Sequence, residues 1–218
     1  MVFITHSLKN AALEAIARFA LLVCLCLLWV PARSLAGPTE ITQLHAERAE
    51  DGVYLSAVVR FDIPPVVEDA LRKGIAIYFV VEADIYRNRW YWTDLRVTSA
   101  ARTLRLAYQP LTGRWRVNIV SGLITSSSGL RATLNQNYET LPEALSAIQR
   151  VTHWKIAEVS EMEPDATYNL NLNFWLDLSQ LPRPFQIGVA GQRDWTISAQ
   201  LRDRLRLVPV PPAAEGPR

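Results

Sequence analysis

Apolar side chains recur at every second residue through Ile75, Ile77, Phe79, Val81, Ala83 and Ile85, the period of an extended chain whose side chains alternate between two faces. This predicts a strand with that series in the core. The intervening Tyr78, Val80, Glu82, Asp84 and Tyr86 fall on the other face, which must be open or polar-lined because carboxylates need water or a cation. Arg87-Asn88-Arg89 breaks the alternation and predicts a turn, bulge or bend, after which Trp90-Tyr91-Trp92 begins a new register. Upstream, Ile41 to Arg48 and Val53 to Phe61 read as a hairpin around Asp51-Gly52, a dipeptide tolerant of positive backbone angles. Val53, Leu55, Ala57, Val59 and Phe61 form its buried face. Asp62 is placed to cap a short helix near Pro64 to Lys73, with Val67, Ala70 and Leu71 on one side and Gly74 as terminator.

Further on, Leu104, Leu106 and Tyr108 alternate, Thr112-Gly113 supplies a turn, and Trp115, Val117 and Ile119 alternate again, which predicts a second hairpin. Residues 122–137 are rich in serine, glycine and threonine and read as a mobile loop. Thr140-Leu141-Pro142-Glu143 has capping-box spacing, and Leu141, Ala144, Leu145 and Ile148 make one helical stripe. Tyr168, Leu170, Leu172, Phe174 and Leu176 alternate with Asn169, Asn171, Asn173 and Trp175 in the clearest late strand. Pro182 and Pro184 should end or edge the pairing that follows. A last strand covers Trp195 to Leu207. Many short strands with hairpin signals and two short helices predict a mainly β chain, an antiparallel β-sandwich occupying residues 37–207 as one domain. A proline-rich tail, residues 208–218, is expected to be disordered.

The N-terminus changes where this domain is expected to work. Lys9 and Arg18 precede an apolar run from Phe19 to Val30, and Ser34-Leu35-Ala36 offers small residues for cleavage, the pattern of a helical signal peptide over residues 1–36. The run is shorter than the ~20 residues a spanning helix needs. A soluble periplasmic product starting at Gly37 is therefore expected, the alternative being an inner-membrane anchor through residues 19–30. The leader holds Lys9, Arg18 and Arg33 against Glu14, so it accounts for the whole formal charge of +2 and leaves the mature chain neutral. A neutral domain is a poor polyanion binder, which excludes nucleic acid as the expected partner. Both cysteines, Cys24 and Cys26, also lie in the leader, so the mature chain has neither a disulfide nor a cysteine-bound metal.

Candidate chemistry is sparse in the mature chain. His45 and His153 lack any metal-ligand spacing, no GxSxG elbow or phosphate-binding glycine pattern occurs, and neither cofactor nor metal is expected. Glu82 and Asp84 share a strand face, a pairing suited to acid/base work in a hydrolase, although ion pairing with Arg87 and Arg89 is the simpler role. Asn169, Asn171 and Asn173 line either a sugar-binding face or a solvated one. Arg89, Trp90, Trp92 and Asp94 form the favoured binding surface, because indoles offer broad stacking area and arginine binds anions. The competing role for the tryptophans is to close the ends of the core.

In order along the chain, GIAIYFVVEADIYRNRWYWTD, LRLAYQPLTGRWRV, YETLPEALSAIQRVTHWKI, FWLDLSQLPRPFQI and RDWTIS, behind a signal peptide, resemble an uncharacterised family of exported proteobacterial proteins often labelled proline-rich signal peptide proteins. That family has no established activity, and Leu123 to Gln136 is longer here than the family pattern. The resemblance implies an envelope partner, with a membrane sensor kinase suggested by gene neighbourhood. The function expected from all of this is a non-enzymatic protein- or envelope-binding module in the periplasm. An accessory protein of a sensor histidine kinase and a hydrolase using Glu82 and Asp84 are the alternatives.

Overall fold

The computed structural model describes residues 37–88, 94–123, 133–163, 166–189, 191–205 and 207–209. Among them the strands are β1 (Glu40–Arg48), β2 (Gly52–Arg60), β3 (Ile77–Arg87), β4 (Leu95–Gln109), β5 (Arg114–Ser121), β6 (Thr133–Tyr138), β7 (Arg150–Glu158), β8 (Tyr168–Leu176), β9 (Ser198–Arg204) and β10 (Leu207–Pro209). They form a four-stranded sheet in the order β10-β1-β2-β7 and a six-stranded sheet in the order β6-β5-β4-β3-β8-β9. All pairings are antiparallel except the short β1–β10 contact. The expected mainly β sandwich is thus the fold, and the signal-peptide region lies outside the described residues.

The core is made by the alternation of β2, β3 and β8. Leu55 and Val59 face inward from the smaller sheet, and Phe79, Val81, Leu172 and Phe174 from the larger, all at 1% exposure or less. Phe61, just past β2, binds the layers together, with its ring 5.2 Å from Phe79 and 5.1 Å from Phe174. Burying each such ring contributes roughly 1.5–3 kcal/mol. Trp115, Trp154 and Trp195 are also buried, so these three tryptophans do fill the core. Arg102 departs from the apolar rule: it pairs with Val81 in register and lays its guanidinium 4.6 Å from the Trp154 ring of the facing sheet. Burial pulls that guanidinium down to about 10.

Three helices occur among the described residues, α1 (Pro65–Arg72), α2 (Leu141–Gln149) and α3 (Arg183–Val189). The first ends as expected at Gly74, whose φ of +85° suits glycine. Its start differs: Pro64 is the cap residue without a side-chain bond, and Asp62 instead accepts from the Gly37 backbone N–H. At α2, Thr140 accepts from the Glu143 N–H, while the Glu143 carboxylate accepts from Glu139 N–H rather than closing the box on Thr140. The third helix is a departure from the sequence expectation. Pro184 sits in its first turn, where a missing N–H costs nothing, and Gln186 ties it to the Ser179 and Leu181 carbonyls.

Other departures have local causes. Gly52 is not a positive-φ turn residue but the first residue of β2, and a Cβ there would lie 2.5 Å from the Ala157 carbonyl oxygen. The last part of the expected loop, residues 133–137, belongs to the edge strand β6, Thr133–Tyr138, while 124–132 lie outside the described residues. Trp195 belongs to a 3-10 turn, Arg193–Trp195, so the last long strand starts at Ser198. Within the expected tail, Val208 and Pro209 pair with Glu47 and Arg48 of β1.

Candidate functional site

Register places the outward side chains of the larger sheet in rows. Asp84 of β3 lies beside Ser99 of β4 and Asn171 of β8, with Arg202 of β9 next in line. Glu82, one row away, lies beside Ala101, Asn173 and Gln200. Beyond Asp84 a register shift between Ile85 and Tyr86 brings Tyr86 opposite Arg96. The extra residue is Val97, so this bulge lies on β4, whereas β3 itself pairs without a break with β8 up to Arg87; of the expected irregularity at Arg87-Asn88-Arg89, Arg89 lies outside the described residues.

Several amides on this face are locked in place. Asn171, 6% exposed, accepts from the Gln200 Nε2–H at 2.9 Å, and Asn169 donates to Asn88 at 2.5 Å. At the end of β3, β8 and β9 they line a groove of about 490 Å³ together with Tyr86, Asp94, Arg202 and Arg204. A second groove of about 390 Å³ continues along the same two strands, lined by Asn173, Trp175, Ser198 and Gln200. Arg202 and Arg204 are exposed, and neither forms an ion pair among the described residues. Of the four residues expected to form the binding surface, Asp94 is exposed and lines the first groove. Arg89, Trp90 and Trp92 lie outside the described residues.

The two carboxylates share their face as expected; of their expected partners Arg89 lies outside the described residues, and Arg87 pairs elsewhere. Arg87 has the opposite strand parity from Asp84, and it pairs with Glu163 instead. Asp84 is 5% exposed, with Oδ1 3.7 Å from Arg96 Nη1, beyond hydrogen-bond reach. Burial first, and the Asp84 charge second, raise the pKa of Glu82, while Arg96 and a hydrogen bond with Asn173 oppose the shift. Neither carboxylate lines the groove.

The opposite face of the molecule collects a second polar cluster that spacing along the chain did not reveal. His45 lies opposite Ser56 of β2, and the Ser56 hydroxyl accepts from the His153 N–H on the other flank at 3.1 Å. Two bulges make this possible, at Gln43 (φ +52°) and His153 (φ +43°). The His153 ring stacks 4.0 Å from Tyr54 and lies 3.3 Å from Glu47. Tyr54 donates to Asp51 at 2.7 Å, a bond that, with Lys155 behind it, holds the Asp51 carboxyl below its ordinary value. Lys155 also reaches Glu158 at 2.8 Å. Among the described residues no group of three or more histidine, cysteine, aspartate or glutamate side chains is arranged to hold a metal.

Fold and site together define a two-sheet sandwich with a polar, grooved outer face on its larger sheet. The chain belongs to the family described as Domain of unknown function (DUF4390), which it matches over residues 36–204. No curated protein and no solved structure matches it.

Proposed function

We propose that this domain is an exported, non-enzymatic module that binds a component of the cell envelope through the outer face of its six-stranded sheet. The observation that carries this is the groove lined together by Asp94, the locked Asn169 and Asn171, and Arg202, which forms no ion pair among the described residues. A concave site with a few fixed polar groups is the usual form of a recognition site. A binder is favoured over a hydrolase because Glu82 and Asp84 stand outside that groove. The expected periplasmic location rests on the leader, and the neutral mature chain speaks against nucleic acid as the partner. Among the described residues no helix is long and apolar enough to cross a membrane.

The test is capture from envelope extracts with the full chain and with the Asp94→Lys/Arg202→Glu variant, both exposed changes. Wild type should enrich a saturable partner, and the variant should lose at least about tenfold of that capture. Equal capture by both would remove the groove from the function.

A further inference from the structure

We infer that the chain forms a symmetric dimer by pairing β6 with the β6 of a second copy, which joins two six-stranded sheets edge to edge. Among the described residues β6 ends the larger sheet and pairs with β5 on one side. An open strand edge is a template for another chain unless charge, proline, a bulge or shortness blunts it. The other sheet edges are blunted. β9 carries Arg202, Asp203 and Arg204 in succession, β7 has the bulge at His153 and the charges of Arg150, Lys155 and Glu158, and β10 is three residues ending in Pro209. β6 has no such device: residues 134–138 are Leu, Asn, Gln, Asn and Tyr, in unbroken register with β5. Its backbone makes no further hydrogen bond among the described residues.

The order of those five residues selects a second copy as the occupant. Read from either end they run apolar, amide, amide, amide, apolar, with Gln136 at the centre. A twofold axis through Gln136, normal to the sheet, sets Leu134 opposite the partner's Tyr138, Asn135 opposite the partner's Asn137, and Gln136 opposite the partner's Gln136. Directly opposed residues of an antiparallel pair share a face, so every pair matches in polarity. A foreign strand would place no such demand on the order. Leu134, Gln136 and Tyr138 lie on the core-facing side, beside Ile119, Val117 and Trp115 of β5. Leu134 is nevertheless 66% exposed there, and the partner's Tyr138 is the ring that would cover it. Gln136 accepts from the Tyr138 hydroxyl at 2.5 Å, which leaves its Nε2 donors for the facing amide. Charge does not oppose the pairing. The nearest ionisable residue in the chain is Glu139, and at ~3.3 Å per residue the two copies of it stand about 20 Å apart, beyond the Debye length of ~8 Å at physiological salt. Pairing over five residues is a small contact by the standard of stable dimers, so a reversible dimer of micromolar affinity is expected. β6 and β9 are opposite ends of the larger sheet, so the dimer leaves the groove of each copy uncovered and turns both to the same side, a bivalent surface. The pairing itself stands whatever the groove binds.

The experiment is sedimentation velocity of the purified full-length chain from low to high micromolar concentration, beside Gln136→Glu, Gln136→Lys and an equimolar mixture of the two variants. Wild type should pass from monomer to dimer as concentration rises. Each variant alone sets like charges face to face at the axis and should weaken association at least about tenfold. The mixture sets opposite charges there and should recover the dimer. Circular dichroism should be unchanged in both, because Gln136 is exposed. Recovery on mixing distinguishes this edge from association through any other surface and from misfolding of either variant. A monomer at every concentration, dimers indifferent to the charge at Gln136, or a mixture that stays dissociated overturns the proposal.

Discussion

The two outward faces of the sandwich carry similar kinds of residue and use them differently. On the four-stranded sheet Tyr54, His153, Glu47, Asp51, Lys155 and Glu158 bind one another: ring on ring, hydroxyl to carboxylate, ammonium between two acids. Their hydrogen-bonding capacity is turned inward on the cluster. On the six-stranded sheet Asn169 and Asn171 are each held by one bond and keep other groups free, while Arg202 and Arg204 form no ion pair among the described residues although Asp94 and Asp203 line the same groove. Side chains that are positioned but incompletely satisfied can recognise a ligand; those that satisfy each other hold a sheet together. The positive φ angles of Gln43 and His153 fit this division, since both occur in bulges of the two strands that flank β2.

The smaller sheet should therefore fail through stability. Gly52 meets β7 so closely that an added Cβ would lie 2.5 Å from the Ala157 carbonyl oxygen, an atom of the backbone that cannot swing away. Gly52→Ala is expected to cost about 1–3 kcal/mol, read as a lower denaturant midpoint, with ligand affinity per folded molecule unchanged. A loss of affinity at full folding would show that the two faces are coupled and break the division drawn between them.

How far the sequence revealed these faces depended on whether a strand keeps its period. β3 and β8 alternate without interruption inside the core, and their inward residues were readable one by one. β7 was not, because the bulge at Thr152 and His153 separates Val151 from Trp154 by three positions before Ile156 resumes the period of two. β6 gave no signal since it is an edge strand with Leu134 exposed at 66%. For the groove, the asparagine series of β8 was visible, yet Arg202 and Arg204 became its neighbours only through the β8–β9 register. The alternation of Ser198, Gln200, Arg202 and Arg204 was the available clue. His45 and His153 likewise meet the same residue, Ser56, through pairing across β2, which no spacing along the chain encodes.

Glu82 provides a smaller and more specific test on the larger sheet. Its pKa is raised by burial and by Asp84, so the native state holds the proton more tightly than the unfolded chain does. Ionised Glu82 thus weakens the fold at neutral pH, and that penalty fades as pH falls through the raised native pKa toward the unfolded value near 4.5. Glu82→Gln should raise the melting temperature at pH 7, and the gain should vanish below about pH 4. A pH-independent gain would assign it to packing rather than to charge.

The smallest expected effect is the one that separates the faces most cleanly. Arg202 and Arg204 are exposed at the edge of the larger sheet, and their guanidiniums hold no ion pair among the described residues. Arg202→Gln/Arg204→Gln should therefore change unfolding free energy by no more than about 0.5 kcal/mol, measured by urea denaturation at low and high salt. An arginine that stabilised the sheet through nearby acids such as Asp94 or Asp203 would give a loss at low salt that shrinks as salt is added. Stability flat across both conditions would mean that the charge of these two residues is not needed to hold the fold.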